Sequence, residues 1–347
     1  MRISKTKTVC RIALFLAFFF LINAALGFFL EPFQGSSAEM WDHYREKKHL
    51  DMVYVGSSQC ISGLKPDTID AVLGTESYNM GTNMQSFHNS GLAIRSAVRE
   101  KGVKRIVFVI DYEMLDCKRN KNFRAEASFQ HARGTGLSPA GRIRNDLSFI
   151  TDPEYFGRAS SVNYLLPWIY DRDMDIRMNV REKMAGRVLN EDTHRDENGF
   201  LPSDEVLSSG INYITLATAP AWQKEATTLI ELKLTRDNRR ELLSIIRFCK
   251  RNKIELYGIT VPYPNFLTIY SEKSYAAAYR ELKTLFNDNG FTYYDFNLAS
   301  ASLYQSDVSD YADNGHMNTK GATAFSSMYA AFLQSKTDHD RQFENFD

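Results

Sequence analysis

Asp51-Met52-Val53-Tyr54-Val55-Gly56-Ser57-Ser58-Gln59-Cys60 decides how the rest of the chain is read. Met52 to Val55 is a short apolar run rich in β-forming residues, and Gly56-Ser57-Ser58 stops it. The stretch predicts a buried strand that runs into a tight polar tip. In an open α/β sheet, sites are built at the carboxyl ends of the strands, where Ser58 would stand. Gly-Ser-Ser after a strand is also the composition of an ordinary turn or helix cap. The remainder of the chain has to weigh one against the other.

Working outward, the pattern repeats. A short strand is expected at 78–81 and a nearly continuous apolar strand at 105–110, ending at Asp111. Two more are expected at 254–261 and 291–296. Helical spacing falls between them at 66–73, 86–101, 238–252 and 274–287, with a last helix at 319–333. Strand–helix alternation with continuous apolar strands predicts an α/β fold: a three-layer sandwich with a mainly parallel sheet and helices on both faces. Residues 113–235 lose this regularity and are read as a helix and loop insertion. It either covers or recognises a substrate, or is a surface elaboration.

The N-terminus supplies a different signal. Residues 12–30 form an apolar run long enough to cross a bilayer as a helix. Arg2, Lys5, Lys7 and Arg11 precede it, while Glu31, Glu39 and Asp42 follow. The positive-inside rule then predicts a cytoplasmic tail at 1–11, a single-pass anchor at 12–30 and an extracellular remainder. A cleaved signal peptide is the alternative, but the apolar run is longer than such segments usually are. Residues 31–48 read as a polar connector, 49–335 as the α/β domain and 336–347 as a polar tail.

Composition narrows the function classes. Lys plus Arg and Asp plus Glu both total 42, so the chain is neutral and no bulk field favours nucleic acid as a partner. Of four cysteines, Cys60, Cys117 and Cys249 have no metal or disulfide spacing and read as small buried hydrophobes. His88, His131 and His194 lack ligand-like neighbours, so neither a metal nor a cofactor is expected. Trp168 and Trp222 read as core residues or as stacking platforms for a sugar.

One histidine has suitable company. Asp313-Asn314-Gly315-His316 lies on the loop before the last helix. Asp and His at this spacing can set the carboxylate against Nδ1 and leave Nε2 free to take a serine proton. Turn residues, with Asn318 or Thr319 as a helix cap, are the plainer reading. Asp111 and Glu113 read as strand-end or capping carboxylates.

Ser58 near the first strand, with Asp313 and His316 before the last helix, resembles the SGNH or GDSL-like hydrolase superfamily. Gly56-Ser57-Ser58 stands where that family has Gly-Asp-Ser. The Gly-Ser-Ser variant is similar to its membrane-anchored surface members, the D-alanyl-lipoteichoic acid biosynthesis and alginate O-acetylation proteins among them. Asn79-Met80-Gly81 resembles the family's second block, and Met84 stands where relatives often have a second Gly. Gln85-Ser86 is kept. The third block, Gly-x-Asn-Asp, is replaced by Asp111-Tyr112-Glu113.

The resemblance covers roughly 49–112 and 236–335. It implies a Ser58–His316–Asp313 triad with oxyanion donors from the Ser58 and Gly81 N–H groups, Asn83 being the candidate side-chain donor. It implies acyl transfer, with O-acetyl transfer to a cell-envelope polysaccharide favoured over simple esterase action. A multi-spanning membrane acyltransferase would then be the expected partner. A catalytically inactive SGNH-fold binding or scaffold protein is the alternative.

Overall fold

Five short segments, four of them rich in β-branched and aromatic residues, become five parallel strands: β1 (Met52–Val55), β2 (Ser77–Asn79), β3 (Arg105–Val109), β4 (Glu255–Thr260) and β5 (Thr292–Asp295). Their order is β2-β1-β3-β4-β5. Register places Val53 beside Tyr78 and Ile106, and Val107 beside Tyr257. The computed structural model describes residues 5–30, 36–116, 176–185, 195–207, 231–264, 272–335 and 339–343, with isolated positions between 135 and 147.

Side chains alternate across a strand, so one short run feeds two cores. Val53 and Val55 pack with Phe87, Phe108 and Leu242 on one face. Met52 and Tyr54 pack with Val109, Ile259 and Phe325 on the other. Helices cover both faces. The first face carries α2 (Ser36–Glu46), α5 (Phe87–Ser96), α7 (Arg236–Arg251) and α8 (Glu272–Asn287). The second carries α3 (Ser58–Gly63), α4 (Pro66–Leu73) and α9 (Thr319–Gln334). A π-helical turn at Ala97–Lys101 extends α5 to the end expected of it. The described part of the insertion contains α6 (Ile176–Ala185).

The N-terminal run forms α1 (Lys5–Leu30), 26 residues long with no buried residue. At about 1.5 Å per residue it reaches roughly 39 Å, enough to cross a membrane. Its large apolar side chains, Leu14, Phe15 and Leu21 among them, are exposed.

Three segments differ from their polar appearance. Within the expected connector, α2 buries Met40, Trp41 and Tyr44 in the first core. Those three share one helical face, and burying it outweighs the charged remainder. The insertion's end, 195–207, packs on the edge of the sheet. The Asn79 N–H donates to Asn198 O at 2.9 Å, and Phe200 enters the second core. Gly199 sits there at φ +87, where a Cβ would lie 2.3 Å from Asn79 O. In the expected tail, Phe343 is buried against Tyr294 and Phe296. Cys117, His131, His194, Trp168 and Trp222 lie outside the described residues.

Candidate active site

The tip of β1 is held from several sides. A Cβ on Gly56 would fall 2.6 Å from Val109 O, so β3 passes too close for any side chain there. The Thr82 N–H donates to Gly56 O at 3.1 Å and the Met80 N–H to Tyr54 O at 2.8 Å, which lays the loop after β2 alongside. Ser57 has an extended backbone and caps α3, its Oγ accepting from the Gln59 N–H. Ser58 therefore opens α3, where first-turn N–H groups have no intrahelical acceptor. It is half-buried, while its neighbours Ser57 and Gln59 are buried.

The second half of the site is a loop folded around its own carboxylate. Asp313 Oδ1 accepts from the Gly315 N–H at 2.7 Å and the His316 N–H at 2.8 Å. The Ala312 N–H donates to His316 O, and Tyr311 bridges Met317, closing the turn. Asn318 caps α9 through Gly321 and also donates to the carbonyls of Glu205 and Ser309. The capping reading of Asn318 thus holds alongside the arrangement of Asp313 and His316. The Gln59 side chain donates to Gly315 O and ties the two halves together.

This brings three expected residues into one chain of hydrogen bonds. His316 Nε2 is 2.8 Å from Ser58 Oγ, and Nδ1 is 2.9 Å from Asp313 Oδ2. The Asp313 hydrogen bond raises the His316 pKa above its ordinary value. Burial opposes that, and the charges of Asp313, Asp111 and Glu113 add to it. For Asp313, partial burial pushes upward, but the hydrogen bonds from His316 and the Gly315 N–H outweigh it and hold the carboxyl below its usual range. The imidazole is about a third exposed and Asp313 more than half, so the site opens to solvent.

The expected oxyanion donors are arranged differently. The Gly81 N–H donates to Asn79 Oδ1 at 3.0 Å. Asn79 is buried and saturated: its amide also donates to Cys60 O and Leu64 O, and its Oδ1 accepts from the Cys60 thiol. Asn79 fixes the loop, and the Gly81 N–H would have to be shared with an oxyanion. Asn83 is exposed on the same loop. Met84 adopts φ 52, the left-handed region that favours glycine. Cys60 is fully buried, which pushes its thiol pKa up and leaves it a poor nucleophile.

Asp111 does more than cap. It accepts from the Glu113 N–H as a capping carboxylate should. It also accepts from Ser57 Oγ at 2.8 Å and Tyr263 Oη at 2.5 Å. Nothing local in the sequence links residue 111 to 57 or 263; only the β1–β3–β4 order does. His88 faces Asn145 and Glu241. Among the described residues no group of three or more His, Cys, Asp and Glu side chains could hold a metal. No known protein-family model matches the chain, and no curated protein matches it.

Proposed function

We propose that this protein is a membrane-anchored, extracellular acyl-transfer enzyme of the SGNH-like kind, using Ser58, His316 and Asp313 on acyl groups of a cell-envelope polysaccharide. The observation that carries this reading is the continuous chain from Ser58 Oγ through the imidazole to Asp313, with contacts of 2.8 and 2.9 Å. Nucleophile, base and orienting carboxylate already sit within hydrogen-bond reach.

The steps follow from that geometry. His316 Nε2 takes the Ser58 hydroxyl proton as Oγ attacks an ester carbonyl carbon. The tetrahedral intermediate places its negative oxygen toward the Ser58 N–H, with the Gly81 N–H and Asn83 as further donors. Each such donor contributes about 3 kcal/mol to acyl transfer. The ester C–O bond then breaks, and the departing alcohol takes the proton from His316. Water or a sugar hydroxyl, deprotonated by His316, attacks the acyl-Ser58 carbonyl and returns Ser58 to its starting state. Water makes an esterase and a sugar hydroxyl makes a transferase.

The resemblance to anchored O-acetylation proteins favours the transferase. Among the described residues one helix is long and apolar enough to cross a membrane, and a single span cannot carry an acyl donor across a bilayer, so a multi-spanning acyltransferase would supply it. The non-enzymatic binding reading draws on the Gly81 N–H, which Asn79 already occupies. One experiment separates the two. Full-length protein in detergent is offered a fluorophosphonate probe and a chromogenic acetyl ester. Labelling and turnover, both lost in Ser58→Ala, are expected. An unlabelled wild type that still binds polysaccharide would favour the scaffold.

A further inference from the structure

Next to the triad sits a carboxylate that the steps above do not use. Asp111 follows β3 and is buried, with both oxygens bound to protein donors. Its Oδ2 accepts from Ser57 Oγ at 2.8 Å, and its Oδ1 from Tyr263 Oη at 2.5 Å and the Glu113 N–H at 2.9 Å. These three donors come from the ends of β1, β4 and β3, so the carboxylate cannot turn without breaking a contact to one of them. Ser57 is the backbone neighbour of Ser58 and the cap of α3. Releasing the Ser57 hydroxyl would free the Gln59 cap and loosen the turn that carries Ser58.

Resting on the acyl-transfer reading, we propose that Asp111 is a positioning residue for the Ser58–His316 pair. It locks Ser57, and with it the turn bearing Ser58, from the β3 end. A serine at position 57 suits this arrangement: its hydroxyl donates to Asp111 while accepting the Gln59 N–H, which a carboxylate at that position could not do.

The charge completes the argument. As His316 takes the serine proton it becomes an imidazolium, and a nearby negative charge stabilises that form. Asp313 from its own loop and Ser58 from the β1 tip contact the ring, and the charges of Asp111 and Glu113 at the β3 end act on it from farther away. Asp313 and Glu113 are exposed and screened by water, whereas Asp111 is shielded. Asp111 therefore acts on His316 with less loss than its exposed neighbours do.

The test uses full-length protein in detergent, with Asp111→Asn, Ser57→Ala and Glu113→Gln. Two quantities are read: the rate constant for fluorophosphonate labelling against pH, and the His316 imidazole titration by NMR, which needs no turnover. Asp111→Asn is expected to lower the labelling plateau about tenfold, as a misplaced nucleophile does. It is also expected to move both midpoints down, because one of the charges that raise the His316 pKa is removed. Ser57→Ala should lower the plateau with the midpoints unmoved, and Glu113→Gln should shift them less than Asp111→Asn.

A folded Asp111→Asn protein with wild-type plateau and midpoints overturns the proposal. Should that variant fail to fold, Ser57→Ala decides, and a wild-type plateau there overturns the positioning role. A wild type that never labels removes the acyl-transfer reading instead. The NMR midpoints then still decide whether the Asp111 charge acts on the imidazole.

Discussion

Glu39 and Arg195 face each other across the protein interior, with Oε2 and Nε 3.8 Å apart and side chains only 6% and 1% exposed. Glu39 also accepts the Arg195 N–H at 3.3 Å, and Arg195 Nη1 donates to Gly199 O at 3.3 Å. The pair joins α2 to the 195–207 segment that lines the β2 edge.

Removing one member of a buried pair leaves the other charge without compensation. Arg195→Met is therefore expected to destabilise the fold by about 3–5 kcal/mol. Adding Glu39→Gln should recover most of that loss, because the amide oxygen still accepts the Arg195-position N–H and no charge remains buried. Denaturant titration of the two variants checks this. Equal losses in single and double variants would show that the charge is not the cause.

On the acyl-transfer reading, the pH dependence of labelling follows from His316. Its hydrogen bond with Asp313 raises its pKa, and only the neutral imidazole accepts the serine proton. The acid limb of the rate profile should therefore lie above the ordinary imidazole value of about 6.5. Asp313→Asn should move the limb down and lower the rate by a factor on the order of 10³ to 10⁴. The stability link has the opposite sense. The raised His316 pKa contributes stability below the unfolded value of about 6.5, and this is lost as pH rises through the folded value. Asp313, held low, contributes above its unfolded value of about 3.9 and loses that contribution as pH falls through its folded one.

Met84 offers a stability test with no catalytic step. Its φ of 52 lies in the left-handed region, and its side chain is 40% exposed. That conformation costs an L-residue roughly 1–2 kcal/mol, and glycine returns about 0.4–1 of the relief as unfolded-state entropy. Met84→Gly should thus stabilise the protein by roughly 0.5–1 kcal/mol, read as a rise in melting temperature. A fall would mean that the Met84 side chain makes contacts worth more than the strain.

The strands were legible because β1 and β3 are nearly continuous apolar runs and the others, though they carry Ser77, Asn79, Glu255, Thr292 or Asp295, are short runs of β-formers between helical segments. Ser58, Asp313 and His316 were legible as types in order, since a strand tip and a pre-helix loop are recognisable locally. Three features were not. Met40, Trp41 and Tyr44 are outnumbered by charged neighbours in α2. Arg195 looks like a surface charge until Glu39, 156 positions away, is brought beside it. The Asn79 side chain competes for the Gly81 N–H, and no spacing rule reveals which acceptor wins. The first two depend on partners distant in sequence, about which local pattern carries no information, and the third is a two-residue contact whose rival acceptor is not in the chain.

Ser58 and His316 stand 258 positions apart in the chain. On the acyl-transfer reading, the nucleophile is synthesised before β2 to β5 and its base after them. Until α9 docks and the Asp313 loop closes, Ser58 is an ordinary alcohol. On that reading, a chain in which the two segments have not met carries no reactive serine to be acylated out of turn. Covalent labelling of Ser58 would serve as a stringent readout of completed folding, because it registers both ends of the molecule at once.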